Sequence, residues 1–294
     1  MADHQRLARV AFWGLGLVWG SNFIFMKWAA DLITPMQIVF LRVLFGFLPV
    51  AAYALATGAL RLQHMRHGGH FLVMSLLATS VYYFGFAKGT SLLLSGVAGA
   101  LSGAIPLFSF IAAALFLRDE PVGGRKLAGV AIGFAGVVMI ADPFSADLAA
   151  TNLEGVAYMA LGSLSVGLSF VYAKRFLTGL DIKPAALTTY QLGLALAVLG
   201  LATDFEGIGA IWTDPRAATG LVAGLGLMGT GLAYIAYYLI VRNLGAVAAS
   251  SVTYIPPVVA LAIGALLVGE PIGPMAYVAT ALIFVGVWLL GTRR

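Results

Sequence analysis

The sequence predicts an all-α integral membrane protein in which ten transmembrane helices form two inverted five-helix repeats around a central cavity. Three observations predict it. The composition is that of a chain dissolved in lipid: 61% of its 294 residues are hydrophobic and 10% charged, and the mean hydropathy is +0.97. A water-soluble domain carries about 25% charged residues. Apolar runs near the length that crosses a bilayer, about 20 residues for a core of about 30 Å, occur ten times. Finally, residues 101–140 recur at 251–290, with Glu120-Pro121-Val122-Gly123 returning as Glu270-Pro271-Ile272-Gly273.

Within those forty residues the identities include Ile105/Ile255, Pro106/Pro256, Ala112/Ala262, Ala131/Ala281, Phe134/Phe284 and Gly136/Gly286, too many for apolar composition alone. A looser echo pairs Gly20, Phe23 and Lys27 with Gly167, Phe170 and Lys174, which extends the duplication to the first helix of each half. The expected units are residues 1–146 and 147–294.

In chain order the expected spans are 8–29, 35–57, 70–87, 91–117, 127–140, 155–172, 185–202, 221–240, 246–268 and 274–290. The first follows Arg6 and Arg9 as a signal peptide would, but it is long, holds Trp13, Trp19 and Asn22, and has a counterpart near 155–174, so it reads as a retained helix. The second carries Arg42 about six residues from its start, roughly 9 Å deep at 1.5 Å per residue. The fifth is short unless Arg125 and Lys126 snorkel. The fourth and ninth hold Pro106 and Pro256 at equivalent depth, where a missing N–H invites a kink. These two prolines are the candidate hinges; a static kink is the alternative. Little chain remains for loops, so no separate catalytic domain is expected.

With the N-terminus inside, thirteen of the seventeen Lys and Arg fall on inner segments, while Asp31, Asp142, Asp147, Glu154, Asp204, Glu206, Asp214 and Glu270 gather outside. The positive-inside rule then puts both termini in the cytoplasm. The basic residues are spread over every inner loop, so the formal charge of +5 reflects orientation and implies no nucleic-acid partner. Five spans per repeat is an odd number, so the second half enters from the opposite side. Inverted repeats of this kind recur in secondary transporters, where exchange of the two halves' conformations exchanges inward and outward access.

The duplicated five-helix unit, Leu117-Arg118-Asp119-Glu120-Pro121 with its partner Val268-Gly269-Glu270-Pro271, and the Ile105-Pro106 and Ile255-Pro256 pairs resemble the drug/metabolite transporter superfamily. More narrowly, the chain resembles the EamA-type ten-helix exporters, a group that includes YddG-like exporters of aromatic and other amino acids. The resemblance covers nearly the whole chain and is weak for substrate. It implies a basket of ten helices in a bacterial inner membrane, a central cavity between the halves, and export of small metabolites.

All twelve Asp and Glu sit in loops or at helix ends, and the four His lie in the N-terminal tail or first inner loop. Ion-coupled pumps commonly keep an acidic or histidine relay inside the membrane, so coupling through a buried carboxylate is not expected. Arg42 has two readings: it snorkels outward, or it faces the cavity and attracts the carboxylate of an anionic or zwitterionic substrate. Lys27 and Lys88 read as anchors near the headgroups. Polar and aromatic residues at central depth complete the candidate substrate site: Trp19, Asn22, Tyr82, Tyr83, Tyr234, Thr253 and Tyr254, with Arg42. Rings would stack on the apolar part of an amphipathic metabolite and meet an ammonium; interhelical packing is the alternative at each position.

Gly224-Leu225-Gly226-Leu227-Met228-Gly229 fits a dinucleotide fingerprint in spacing only, since it lies inside an apolar span without a preceding strand. His64, His67 and His70 could hold a metal, although a basic loop supplies the same spacing; no metal or cofactor is expected. Neither H-E-x-x-H nor paired membrane carboxylates occur, which argues against an enzyme. Export of other metabolites or drugs, or lipid translocation, are the alternatives to amino-acid export, and the sequence leaves the oligomeric state open.

Overall fold

The computed structural model describes residues 2–117, 123–141, 153–244 and 252–291. Among the described residues ten helical rods run in chain order. They are α1 (Ala2–Ala30), α2 (Pro35–Ala56), α3 (Leu62–Leu92), α4 (Ser95–Phe116), α5 (Gly124–Ala141), α6 (Leu153–Phe176), α7 (Pro184–Ala202), α8 (residues 215–244), α9 (Val252–Val268) and α10 (Pro274–Gly291). Eight are long and apolar enough to cross a membrane, and the last two add shorter apolar helices. The first Glu120-Pro121 motif, with Arg118 and Asp119, lies outside the described residues, as do Asp142, Asp147, Arg293 and Arg294.

The rods pair mostly across the two halves. The main partners are α1 with α8 and α9, α6 with α3 and α4, α2 with α7 and α8, α3 with α7, α4 with α9, and α5 with α10. Replacing each helix by the one five places away reproduces this set of pairs. Small residues set the closest approaches. A Cβ on Gly129 would meet the Gly286 carbonyl at 2.7 Å, and one on Gly286 would meet Gly133, so α5 and α10 touch backbone to backbone.

Three boundaries differ from the expected spans for identifiable reasons. α5 starts at Gly124 and is 18 residues long; Arg125 joins it and lies over the Trp288 ring at 5.3 Å, and Lys126 lies 5.2 Å from the Phe110 ring. α4 is two helices, Ser95–Ser102 and Ile105–Phe116. The ring of Pro106 would clash with the Ser102 carbonyl in a continuous helix. The chain instead tightens into a turn, with Gly103 N–H to Ala100 O and Ala104 N–H to Leu101 O, both at 3.0 Å. α9 repeats the device: a 3₁₀ turn over Val252–Tyr254 leads into Ile255–Ala262. Pro106 and Pro256 therefore occupy first turns, where a missing N–H costs nothing, and do not kink mid-helix. Residues 246–251 of the expected ninth span lie outside the described residues.

Wide π turns interrupt α3 at Leu76–Ser80, α8 at Gly220–Leu232 and α9 at Ile263–Val268. The last ends on Gly269, whose φ of 71° is open to glycine. The following Glu270 N–H returns to Gly264 O at 2.8 Å, a helix-ending bond that folds Glu270 back toward α4.

Candidate functional site

The only cation expected deep in a span is not at a surface. Arg42, on α2, is 5% exposed, so it does not snorkel. Its Nε donates to Thr230 Oγ1 on α8 at 3.0 Å, and its guanidinium carbon stands 3.8 Å from the centre of the Tyr83 ring on α3. The Thr230 hydroxyl in turn donates to Leu225 O, five residues back, at 2.9 Å. That spacing belongs to the π turn, which is how α8 presents a hydroxyl with its acceptor side toward α2. The two terminal amino groups of Arg42 carry no hydrogen bond among the described residues, and the ion pair Lys88–Glu154, at 3.8 Å, involves neither of them.

The energetics leave this site unbalanced. Burying an ion costs several kcal/mol even after relaxation. One charged hydrogen bond returns about 1.5–3 kcal/mol and a desolvated cation–π contact about 2 kcal/mol. An anion placed at the free end of the guanidinium would supply the remainder through paired N–H···O bonds.

Aromatic rings continue from Tyr83: Tyr82 lies 4.9 Å from it, Phe86 lies 4.7 Å from Tyr82, and Phe23 lies 5.9 Å from Phe86. On α1, Trp19 Nε1 donates to Gly229 O at 3.2 Å, and its ring lies 6.2 Å from Tyr237. Asn22, one turn along, is 5% exposed and its Oδ1 has no partner. A Cβ on Gly229 would fall on the Asn22 amide, so glycine is what lets that side chain lie on the α8 backbone.

Of the sequence-predicted residues, Trp19, Asn22 and Arg42 thus meet the Gly229–Thr230 step, and Tyr83 and then Tyr82 follow outward from Arg42. Tyr234 is half-buried one turn beyond Thr230 and packs on the main core. Thr253 and Tyr254 lie in the turn that opens α9, which packs on α1, Tyr254 with 39% of its surface exposed. Thr230, Phe23 and Phe86 complete the group; Thr230 was legible as a mid-depth hydroxyl, whereas Phe23 was marked only by its place in the repeat and Phe86 by hydrophobicity alone.

Two charges that the sequence places near helix ends have specific work. Lys27 Nζ donates to Leu93 O, Ser91 O and Thr90 O at 2.8, 3.1 and 3.4 Å, and so caps the C-terminal end of α3 instead of reaching for headgroups. Glu270 Oε1 accepts from Ser95 N and Ser95 Oγ at 2.8 and 2.7 Å, and Oε2 accepts from Gly96 N at 2.9 Å, capping the start of α4. Lys27 and Glu270 thereby hold the α3–α4 turn from its two sides.

The fingerprint-like glycines pack helices: Gly224 faces Phe25, Gly226 faces Phe45 and Gly229 faces Asn22. His64 lies edge-on to Tyr190, His67 stacks on His70, and His70 Nδ1 is 2.7 Å from the Tyr172 hydroxyl. Among the described residues no group of three His, Asp or Glu is placed to hold a metal.

A sequence model of the EamA-like transporter family matches residues 8–141 and, a second time, 153–292. The chain is 26% identical to the "uncharacterized inner membrane transporter YedA" of Escherichia coli K12, over 95% of this chain and 89% of that one. It is 24% identical to an "uncharacterized transporter" of Archaeoglobus fulgidus, over 94% and 95%. A "probable terminal-alkyne amino-acid exporter" of Streptantibioticus cattleyicolor is 29% identical over 68% of this chain and 65% of its own. A solved crystal structure superposes with a TM-score of 0.63, 20% identity, and coverage of 97% and 96%, a likeness of fold.

Proposed function

Because the chain belongs to the EamA-like transporter family, matched in both halves, we propose that it exports small amphipathic metabolites, amino acids including aromatic ones, across a bacterial inner membrane by alternating access. Membership makes it a multi-pass membrane transporter of ten helices. The rest of the proposal is that residues 1–146 and 147–294 are inverted repeats, that both termini are cytoplasmic, that the turns before Pro106 and Pro256 flex, and that no buried carboxylate couples the flux to an ion.

The observation that carries the substrate reading is Arg42. It is buried, has no carboxylate partner among the described residues, leaves its terminal amino groups free, and sits beside a run of aromatic rings at the junction of α2, α3 and α8. A carboxylate fits the guanidinium and an apolar side chain fits the rings. The amino-acid exporter among the relatives is in keeping with this chemistry.

The test is uptake of radiolabelled phenylalanine, threonine and methionine into liposomes holding the purified protein, with and without an imposed pH or sodium gradient. Saturable flux, independent of the gradient and competed away by unlabelled amino acids, is expected. Folded protein that moves none of the three would discard the amino-acid reading.

A further inference from the structure

Building on the reading of the Arg42 region as the substrate site, we infer that the site takes a zwitterion by both of its charges, and that the side-chain oxygen of Asn22 receives the ammonium. Asn22 is held on α1 with 5% of its surface exposed, and its Oδ1 is without a donor. A buried carbonyl oxygen left in that state is a standing penalty that a ligand N–H removes. Two donors that reach the same step of α8 are committed elsewhere: Trp19 Nε1, one turn earlier on α1, goes to Gly229 O, and Arg42 Nε goes to Thr230 Oγ1.

The placement of the two groups gives the ligand its shape. Asn22 lies on Gly229, and Arg42 is tied to Thr230, the next residue of α8. Consecutive Cα atoms are about 3.8 Å apart, so an acceptor without a donor and a cation without an anion are anchored to adjacent residues. In an α-amino acid the ammonium and the carboxylate flank a single carbon. A carboxylate alone would leave the Asn22 oxygen orphaned. An amine alone would meet the like charge of Arg42 and leave the guanidinium unpaired. A molecule that carries both charges close together satisfies both groups, and sites built on such pairing reject analogues lacking one partner far more strongly than apolar pockets reject a missing methylene.

The test measures binding of three probes to the full-length protein in lipid nanodiscs: L-phenylalanine, 3-phenylpropionate, which lacks the ammonium, and 2-phenylethylamine, which lacks the carboxylate. Wild-type protein is expected to bind phenylalanine at least tenfold more tightly than either analogue. Asn22→Ala should weaken phenylalanine at least tenfold and 3-phenylpropionate less than twofold. Asn22→Asp, which keeps the size of the side chain, guards against a folding defect; it should raise the affinity for 2-phenylethylamine at least fivefold. Equal binding of phenylalanine and 3-phenylpropionate by the wild type, or equal weakening of both in Asn22→Ala, or no gain for the amine in Asn22→Asp, overturns the role of Asn22 and leaves Arg42 as a carboxylate anchor. Failure of both carboxylates to bind overturns the substrate reading itself, and this inference with it.

Discussion

Glu270 and Ser95 are joined twice across 175 residues, one carboxylate oxygen accepting from both the backbone N–H and the hydroxyl of the serine. The second carboxylate oxygen takes Gly96 N–H, so a residue that the repeated Glu-Pro motif marks in sequence closes the N-terminal end of a helix in the other half. Capping groups are worth about 0.5–2 kcal/mol and hydrogen bonds to a charge about 1.5–3 kcal/mol. Glu270→Ala should therefore destabilise the protein by about 2 kcal/mol, and Glu270→Gln, which keeps one acceptor oxygen, by less. Thermal unfolding in detergent reads both.

Lys27 acts on the other side of the same turn. Loss of its three carbonyl contacts in Lys27→Met should cost about 1–2 kcal/mol, and Lys27→Arg should recover part of it. Since Lys27 holds Leu93 O and Glu270 holds Ser95 N, the two changes should not add. A double-mutant cycle of Lys27→Met with Glu270→Ala should give a coupling of about 0.5 kcal/mol or more.

Arg42→Met should lower amino-acid flux at least tenfold without reducing the amount of protein in the membrane, because it removes the cation and fills its place with an apolar chain. Arg42→Lys keeps the charge but loses the guanidinium contact with the Tyr83 ring and the Nε bond to Thr230. It should fall between wild type and Arg42→Met, chiefly through KM. Liposome flux at several substrate concentrations separates the two.

Tyr82 packs between Tyr83 and Phe86. Tyr82→Ala should impair transport of phenylalanine more than that of threonine, at unchanged membrane abundance, because the threonine side chain has no ring to stack. Equal loss for the two substrates would mean that Tyr82 only supports Tyr83.

Gly99 on α4 faces Ala260 on α9 so closely that an added Cβ would overlap the alanine methyl. Overpacking of this sort costs about 1–3 kcal/mol, so Gly99→Ala should lower the unfolding temperature. Pairing it with Ala260→Gly should restore most of the loss.

Spans, duplication and family were legible because each rests on many residues: composition and run length report the solvent, and eleven identities in forty report the repeat. The clustering of Trp19, Asn22, Arg42, Tyr82 and Tyr83 was legible as depth, since polar side chains are scarce there. The meeting of Trp19, Asn22 and Arg42 on Gly229–Thr230 was not, because it depends on the π stretch of α8, and nothing in an apolar glycine-rich run tells a wide turn from an ordinary one. The breaks in α4 and α9 were signalled by Pro106 and Pro256 but read as kinks; whether a proline bends a helix or begins one depends on whether the preceding turn can close, here through Gly103 and Ala104. Lys27 gave no hint of its cap, since its acceptors lie more than sixty residues away.

The helix pairing across halves also sets an order of events during synthesis. Arg42 can stack on Tyr83 as soon as α3 is inserted, but Thr230 emerges 188 residues after Arg42. At ribosomal rates of 5–20 residues per second, that is roughly 10–40 seconds in which the guanidinium waits in the bilayer with at most one of its two contacts. The first five helices, whose main neighbours belong to the second five, spend that interval exposing to lipid the surfaces that later become interior. A nascent chain arrested before α8 should accordingly be the form most readily removed by membrane proteases, while one arrested after α10 should be spared.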